Sequence, residues 1–160
     1  MAEYIRKIVM LGDPGVGKTS LVRKYVDNMF DDKYLSTLGA KPTKKLMKVN
    51  DDNLIMMIWD LAGQNFNLHP AYYAGAKGAL LVCDLSRKET SESLLNWHSA
   101  LGARAGDIPI RVLANKADLE GEFDIPDLEK MGFKSMKTSA KTGDNVDLAF
   151  QELAEMMLNG

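Results

Sequence analysis

One run of residues constrains this chain more than any other. The apolar segment Ile8 to Leu11 leads into Gly12-Asp13-Pro14-Gly15-Val16-Gly17-Lys18-Thr19, and Leu21, Val22, Tyr25 and Val26 then recur at helical spacing. A continuous apolar run this short reads as a strand covered on both faces, and the pattern after it as a helix with one buried side. Glycines in the intervening turn let successive backbone N–H groups converge on an anion, and the helix N-terminus adds partial positive charge. Asp13, Pro14, Gly15, Val16, Gly17, Lys18, Thr19 and Ser20 are therefore the expected phosphate-binding segment. Lys18 would reach the β- and γ-phosphates and the Thr19 hydroxyl would ligate Mg²⁺. The bland alternative, a glycine-rich turn without a ligand, is disfavoured because the whole run matches in the strand-to-helix context it needs.

The same reading extends along the chain. Leu54 to Trp59, Ala79 to Leu85 and Ile110 to Ala114 are further short apolar runs, while Leu94/Trp97/Leu101 and Val146/Phe150/Leu153/Met157 form helical faces. Strand and helix in alternation predict an α/β fold, a mostly parallel sheet with helices on both faces. Asn50 to Asn53 is a turn signal joining Lys44–Val49 to Leu54–Trp59, so an antiparallel hairpin at a sheet edge is expected. Pro42 and the lysines at 41, 44, 45 and 48 suit an edge, where they discourage pairing with another sheet. At 160 residues, 46% hydrophobic and 26% charged, the chain fits one domain over 1–160.

What base accompanies the phosphates is answered by Asn115-Lys116-Ala117-Asp118, at the C-terminal end of an apolar strand, where open α/β sheets place ligands. A carboxylate at Asp118 accepts from N1–H and N2–H of guanine together, whereas adenine offers no matching donors. A site that leaves a buried charge unpaired rejects the wrong base by ~10⁴-fold or more. The backbone of Ser139-Ala140-Lys141, after the last and weaker strand, could reach the guanine O6. In Asp60-Leu61-Ala62-Gly63-Gln64, Asp60 could hold Mg²⁺ through a water, Gly63 could donate to the γ-phosphate, and Gln64 could orient the attacking water.

With these motifs in this order, nearly the whole chain resembles the Ras superfamily of small GTPases, and within it the Rab-like branch. Tyr34-Leu35-Ser36-Thr37-Leu38-Gly39, the Trp59-Asp60 pair and Pro70-Ala71-Tyr72-Tyr73-Ala74-Gly75-Ala76 carry the narrower likeness. The resemblance implies the three-layer P-loop NTPase fold, with a six-stranded sheet in order 2-3-1-4-5-6 and strand 2 antiparallel. It also implies that Thr37 binds Mg²⁺ through its hydroxyl and the γ-phosphate through its N–H. Phe30 is the family's ring against guanine, and Tyr34 lies in the same nucleotide-facing segment. Departures are local: the interval from Gln64 to Pro70 is short, Ala40-Lys41-Pro42 follows the Thr37 segment, and Pro14 stands close to where an arginine finger enters. The stretch from Asn115 to Ser139 is also short, which predicts a stubby helix near Ile125 to Met131.

The expected activity is a guanine-nucleotide switch that hydrolyses GTP to GDP and phosphate, slowly without a partner, with Lys18, Thr37, Gly63 and Gln64 as the catalytic groups. GTP or GDP and Mg²⁺ are the cofactors; activating, exchange or effector proteins are the expected partners. A GTP-binding scaffold with little turnover is the alternative, and a nucleotide kinase or ATPase is disfavoured by Asp118. With 20 Lys and Arg against 22 Asp and Glu, the formal charge of −2 supplies no net field for nucleic acid. A single cysteine, Cys83, reads as a core side chain in a reducing, cytoplasmic setting. Ala2 and the Met157-Leu158-Asn159-Gly160 terminus offer no lipidation signal, so no direct membrane anchor is expected in this chain.

Overall fold

The computed structural model describes residues 2–28, 42–60 and 70–159. Phe30, Tyr34, Thr37, Lys41, Gly63, Gln64 and His69 lie outside the described residues.

Six strands, β1 (Glu3–Leu11), β2 (Thr43–Val49), β3 (Asp52–Trp59), β4 (Ala76–Asp84), β5 (Ile110–Asn115) and β6 (Ser135–Lys137), form one sheet in the order β2-β3-β1-β4-β5-β6. Among the described strands only β2 runs antiparallel, pairing Thr43 with Ile58 through Val49 with Asp52. The order and the one reversed edge agree with the expectation. Asn50 turns the hairpin with a φ of 56°, the positive value that tight hairpin turns require.

Alternate residues of the central strands feed opposite cores, which is why these strands read as unbroken apolar runs. Ile8, Met10, Leu80 and Val82 pack with Leu21, Val22 and Tyr25 of α1 (Lys18–Asp27) and with Phe150 and Leu153 of α6 (Val146–Asn159). Val9, Leu11, Leu81 and Cys83 pack instead with Trp97 and Leu101 of α4 (Leu94–Ala105) and with Tyr72 and Tyr73 of α2 (Pro70–Tyr73). Burial pushes the Cys83 thiol up to about 12, so it behaves as a small core side chain.

β1 and β4 start three or more residues earlier than the apolar runs indicate. β1 begins at Glu3, because Glu3 and Ile5 face outward on its first half while the backbone already pairs with Asn53 and Ile55. β4 begins at Ala76, ahead of an exposed Lys77. Polar composition hid α3 (Lys88–Glu92), whereas α5 (Ile125–Lys130) is as short as expected and is opened by a reciprocal capping box between Asp124 and Asp127. At the edge, Lys44 and Lys48 are exposed, but Lys45 lays its ammonium over the Tyr25 ring, 5.1 Å from the centroid. Among the described residues no helix is long and apolar enough to cross a membrane.

Candidate functional site

The carboxyl ends of β1, β3, β4 and β5 converge on one side of the sheet, and the loop after β1 lies across them. Gly12, Gly15 and Gly17 all have positive φ, and Gly17 precedes α1 with no side-chain cap on the helix. A Cβ at Gly17 would stand 2.3 Å from the Asn115 Nδ2, and one at Gly12 would stand 2.3 Å from the Val82 carbonyl. These two positions exclude any side chain on space as well as on φ.

Lys18 is 7% exposed and donates to the carbonyls of Gly12 at 2.8 Å and Asp13 at 3.0 Å. Burial pushes its ammonium down from 10.5 to about 8; Asp60 and Asp13 pull the other way, and Arg87 adds to the depression. Among the described residues its hydrogen bonds go to carbonyls, and a cation so buried is a site that an anion would stabilise. Beside it, the Thr19 hydroxyl donates to Asp60 Oδ2 at 2.6 Å. That contact brings together two oxygen groups, one just after β3 and one on α1, that the sequence assigned to Mg²⁺, a hard cation that takes few protein ligands alongside phosphate oxygens. Among the described residues no group of three or more His, Cys, Asp or Glu gathers as a separate metal site. The donor set fits Mg²⁺ only in company with an anion.

The second half of the site is built at the end of β5. Asn115 is 1% exposed; its Nδ2 donates to the Val16 carbonyl at 2.9 Å, and its Oδ1 accepts from the Thr138 hydroxyl at 3.1 Å. Lys116, at a φ of 66°, sends its ammonium to the Gly15 carbonyl at 2.9 Å and to Asp84 Oδ2 at 2.8 Å. Asp118 is exposed, and its Oδ1 accepts from the Ser139 hydroxyl at 2.7 Å, which fixes how the carboxylate faces outward. The Ser139 N–H is committed to the Asp144 carbonyl at 3.1 Å. Within that turn the amides of Ala140 and Lys141 are the ones without an acceptor among the described residues. Ser20, Asn115, Lys116, Asp118, Leu119, Ala140 and Lys141 line a cleft of about 200 Å³.

Four groups in this frame have no counterpart in the sequence reading: Asp84, Arg87, Trp97 as a polar partner, and Thr138. Trp97 is core, as expected, but its indole N–H also donates to Asp13 Oδ1 at 3.0 Å. Asp84 was visible as a lone charge inside an apolar run, and that anomaly was the signal available. Trp97 and Thr138 carried none, because their partners lie far away along the chain.

The Ras family matches residues 7–159 of this chain. It is a Ras-family protein. Among curated relatives, it is similar to the Ras-related protein Rab-21 of Bos taurus, with 35% identity over 97% of this chain and 74% of that protein. It is also similar to the Ras-related protein RABG3b of Arabidopsis thaliana, at 36% identity over 95% and 83%. The Ras-related protein Rab-2B of Dictyostelium discoideum is 34% identical over 98% and 82%. The Ras-family chain is thus Rab-like along nearly its full length.

Proposed function

We propose that this chain is a switch that binds GTP and GDP with Mg²⁺ and hydrolyses GTP to GDP and phosphate. One observation carries the reading: Asn115 and Lys116 hold the loop carbonyls of Val16 and Gly15, so the base-reading carboxylate of Asp118 and the anion-seeking Lys18 belong to one frame. A ligand with guanine at one end and phosphates at the other answers both. Phe30 and Tyr34 would complete the nucleotide contacts. Mg²⁺ would be held by Thr19, Thr37 and Asp60, and would offset charge on the phosphates when bound.

In this reading catalysis is positioning and electrostatics. Lys18 offsets charge developing on the phosphates, Gly63 and the Thr37 N–H hold the γ-phosphate, and Gln64 aligns water, with no covalent intermediate. Partners that accelerate hydrolysis, exchange nucleotide or read the GTP state follow from the same proposal. The test is the nucleotide released on denaturing the purified protein, with single-turnover phosphate release measured beside it. GDP or GTP is expected, and Gln64→Leu should retain affinity while slowing phosphate release. A chain that carries no guanine nucleotide and binds none when offered it would defeat the proposal.

A further inference from the structure

The turn at Asp13–Gly15 is poorly supported by its own backbone. Its internal bond, from the Val16 N–H to the Asp13 carbonyl, is long at 3.4 Å, and Pro14 has no N–H to contribute. Besides Lys18 on the Asp13 carbonyl, a series of side chains from the β4, β5 and α4 side holds it. Trp97 takes the Asp13 carboxylate, Arg87 takes the Pro14 carbonyl, Lys116 takes the Gly15 carbonyl and Asn115 takes the Val16 carbonyl. The last two belong to the base-reading motif. Arg87 does not, and it meets the loop at Pro14.

Arg87 is itself well anchored. Its Nε donates to Asp84 Oδ2 at 3.0 Å, and its Nη2 donates to the Pro14 carbonyl at 3.0 Å. The Asp84 side chain is 1% exposed and that of Arg87 38%. Asp84 in turn accepts from the Ser86 N–H at 2.9 Å and the Ser86 hydroxyl at 2.6 Å, and the Arg87 N–H donates to the Asp84 carbonyl at 2.9 Å. The backbone that carries Arg87 is therefore tied to the strand end, and its guanidinium is presented to the loop with little freedom left to lose.

We infer that Arg87 is a positioning residue for the phosphate loop, a planar fork that braces Pro14 against the buried Asp84. The inference rests on the proposed nucleotide function. It gives Arg87 no contact with the base, because the guanidinium bonds go to Asp84 and Pro14, while Lys116 makes its own bonds to Asp84 and Gly15. A lysine cannot replace it, since one compact ammonium does not reproduce two fixed N–H directions.

The test is the release rate of GDP and of inosine diphosphate, which lacks the N2 donor that Asp118 reads, from the loaded full chain and from Arg87→Ala and Arg87→Lys. Arg87→Ala should speed release of both nucleotides by about tenfold or more, the effect of one charge-assisted hydrogen bond, and leave the ratio between them unchanged. Arg87→Lys should stay close to Arg87→Ala. Unchanged release in Arg87→Ala, a lost preference for GDP over inosine diphosphate, or full rescue by lysine would each overturn the inference. A parental chain that binds neither nucleotide overturns the proposed function and this inference together, whereas with a parental chain that binds both, the two variants test Arg87 alone.

Discussion

Asp84 sits at the end of a strand, 0% exposed, with Lys116 and Arg87 both bonded to its carboxylate. Desolvation alone would raise its carboxyl, but hydrogen bonds from Lys116, Ser86 and Arg87 outweigh that and hold it below the usual 3.8. A carboxyl depressed in the folded state binds fewer protons there than in the unfolded chain, so its contribution to stability is full above about 3.8 and is lost as pH falls through the depressed value. Asp84→Asn should therefore cost about 2 kcal/mol near neutral pH, and the gap to the parental chain should narrow below about pH 4. Urea midpoints across that range would show it; a constant gap would deny the carboxylate its charged role. Asp118, by contrast, is exposed and positioned by Ser139 alone among the described side chains. Asp118→Ala should leave the fold intact and weaken guanine nucleotides far more than any residual binding of other bases, because it removes one acceptor for two donors. Equal loss for every nucleotide in a competition assay would reassign it.

At the level of elements, α6 is held to the sheet by Phe150, which is 0% exposed and stacks on Tyr25 with ring centroids 4.1 Å apart and planes 2° from parallel. Tyr25 is also capped by Lys45 and donates its hydroxyl to Met47 Sδ at 3.3 Å, so this contact ties α1, α6 and the hairpin edge together. Phe150→Ala should cost about 3–5 kcal/mol, a loss measurable as a lower denaturant midpoint. Much of this architecture was legible beforehand, since buried strands and amphipathic helices impose periods that survive in the residue order. The strand order came from resemblance, because pairing between distant strands leaves no local pattern. The outward first half of β1 and the polar α3 escaped detection because neither buries a continuous apolar surface. At the site, motif spacing named the loop, Asp60 and the Asn115–Asp118 group. It did not reveal that Trp97 and Arg87 brace the loop, a fact that exists only in three dimensions.

Across the whole molecule, the described frame ties down both flanks of the segment 61–69. Asp60 closes β3 against Thr19, and α2 on the far side of 61–69 is pinned by the Tyr72 hydroxyl to the Trp59 carbonyl at 2.7 Å and the Met10 carbonyl at 3.1 Å. In the proposed function only GTP carries a γ-phosphate, so only GTP lets Thr37 and the Gly63 N–H close at once on Mg²⁺ and phosphate. Hydrolysis removes that differential contact, and a ligand shifts a conformational equilibrium only by the difference in its contacts with the two states. Amide exchange at 34–39 and 63–69 should accordingly be slower with a non-hydrolysable GTP analogue than with GDP, while exchange in β1, β4 and β5 stays the same. Thr37→Ala should abolish the first of these effects and spare the frame. Identical exchange in both nucleotide states, with occupancy verified, would remove the switch and leave a GTP-binding scaffold in its place.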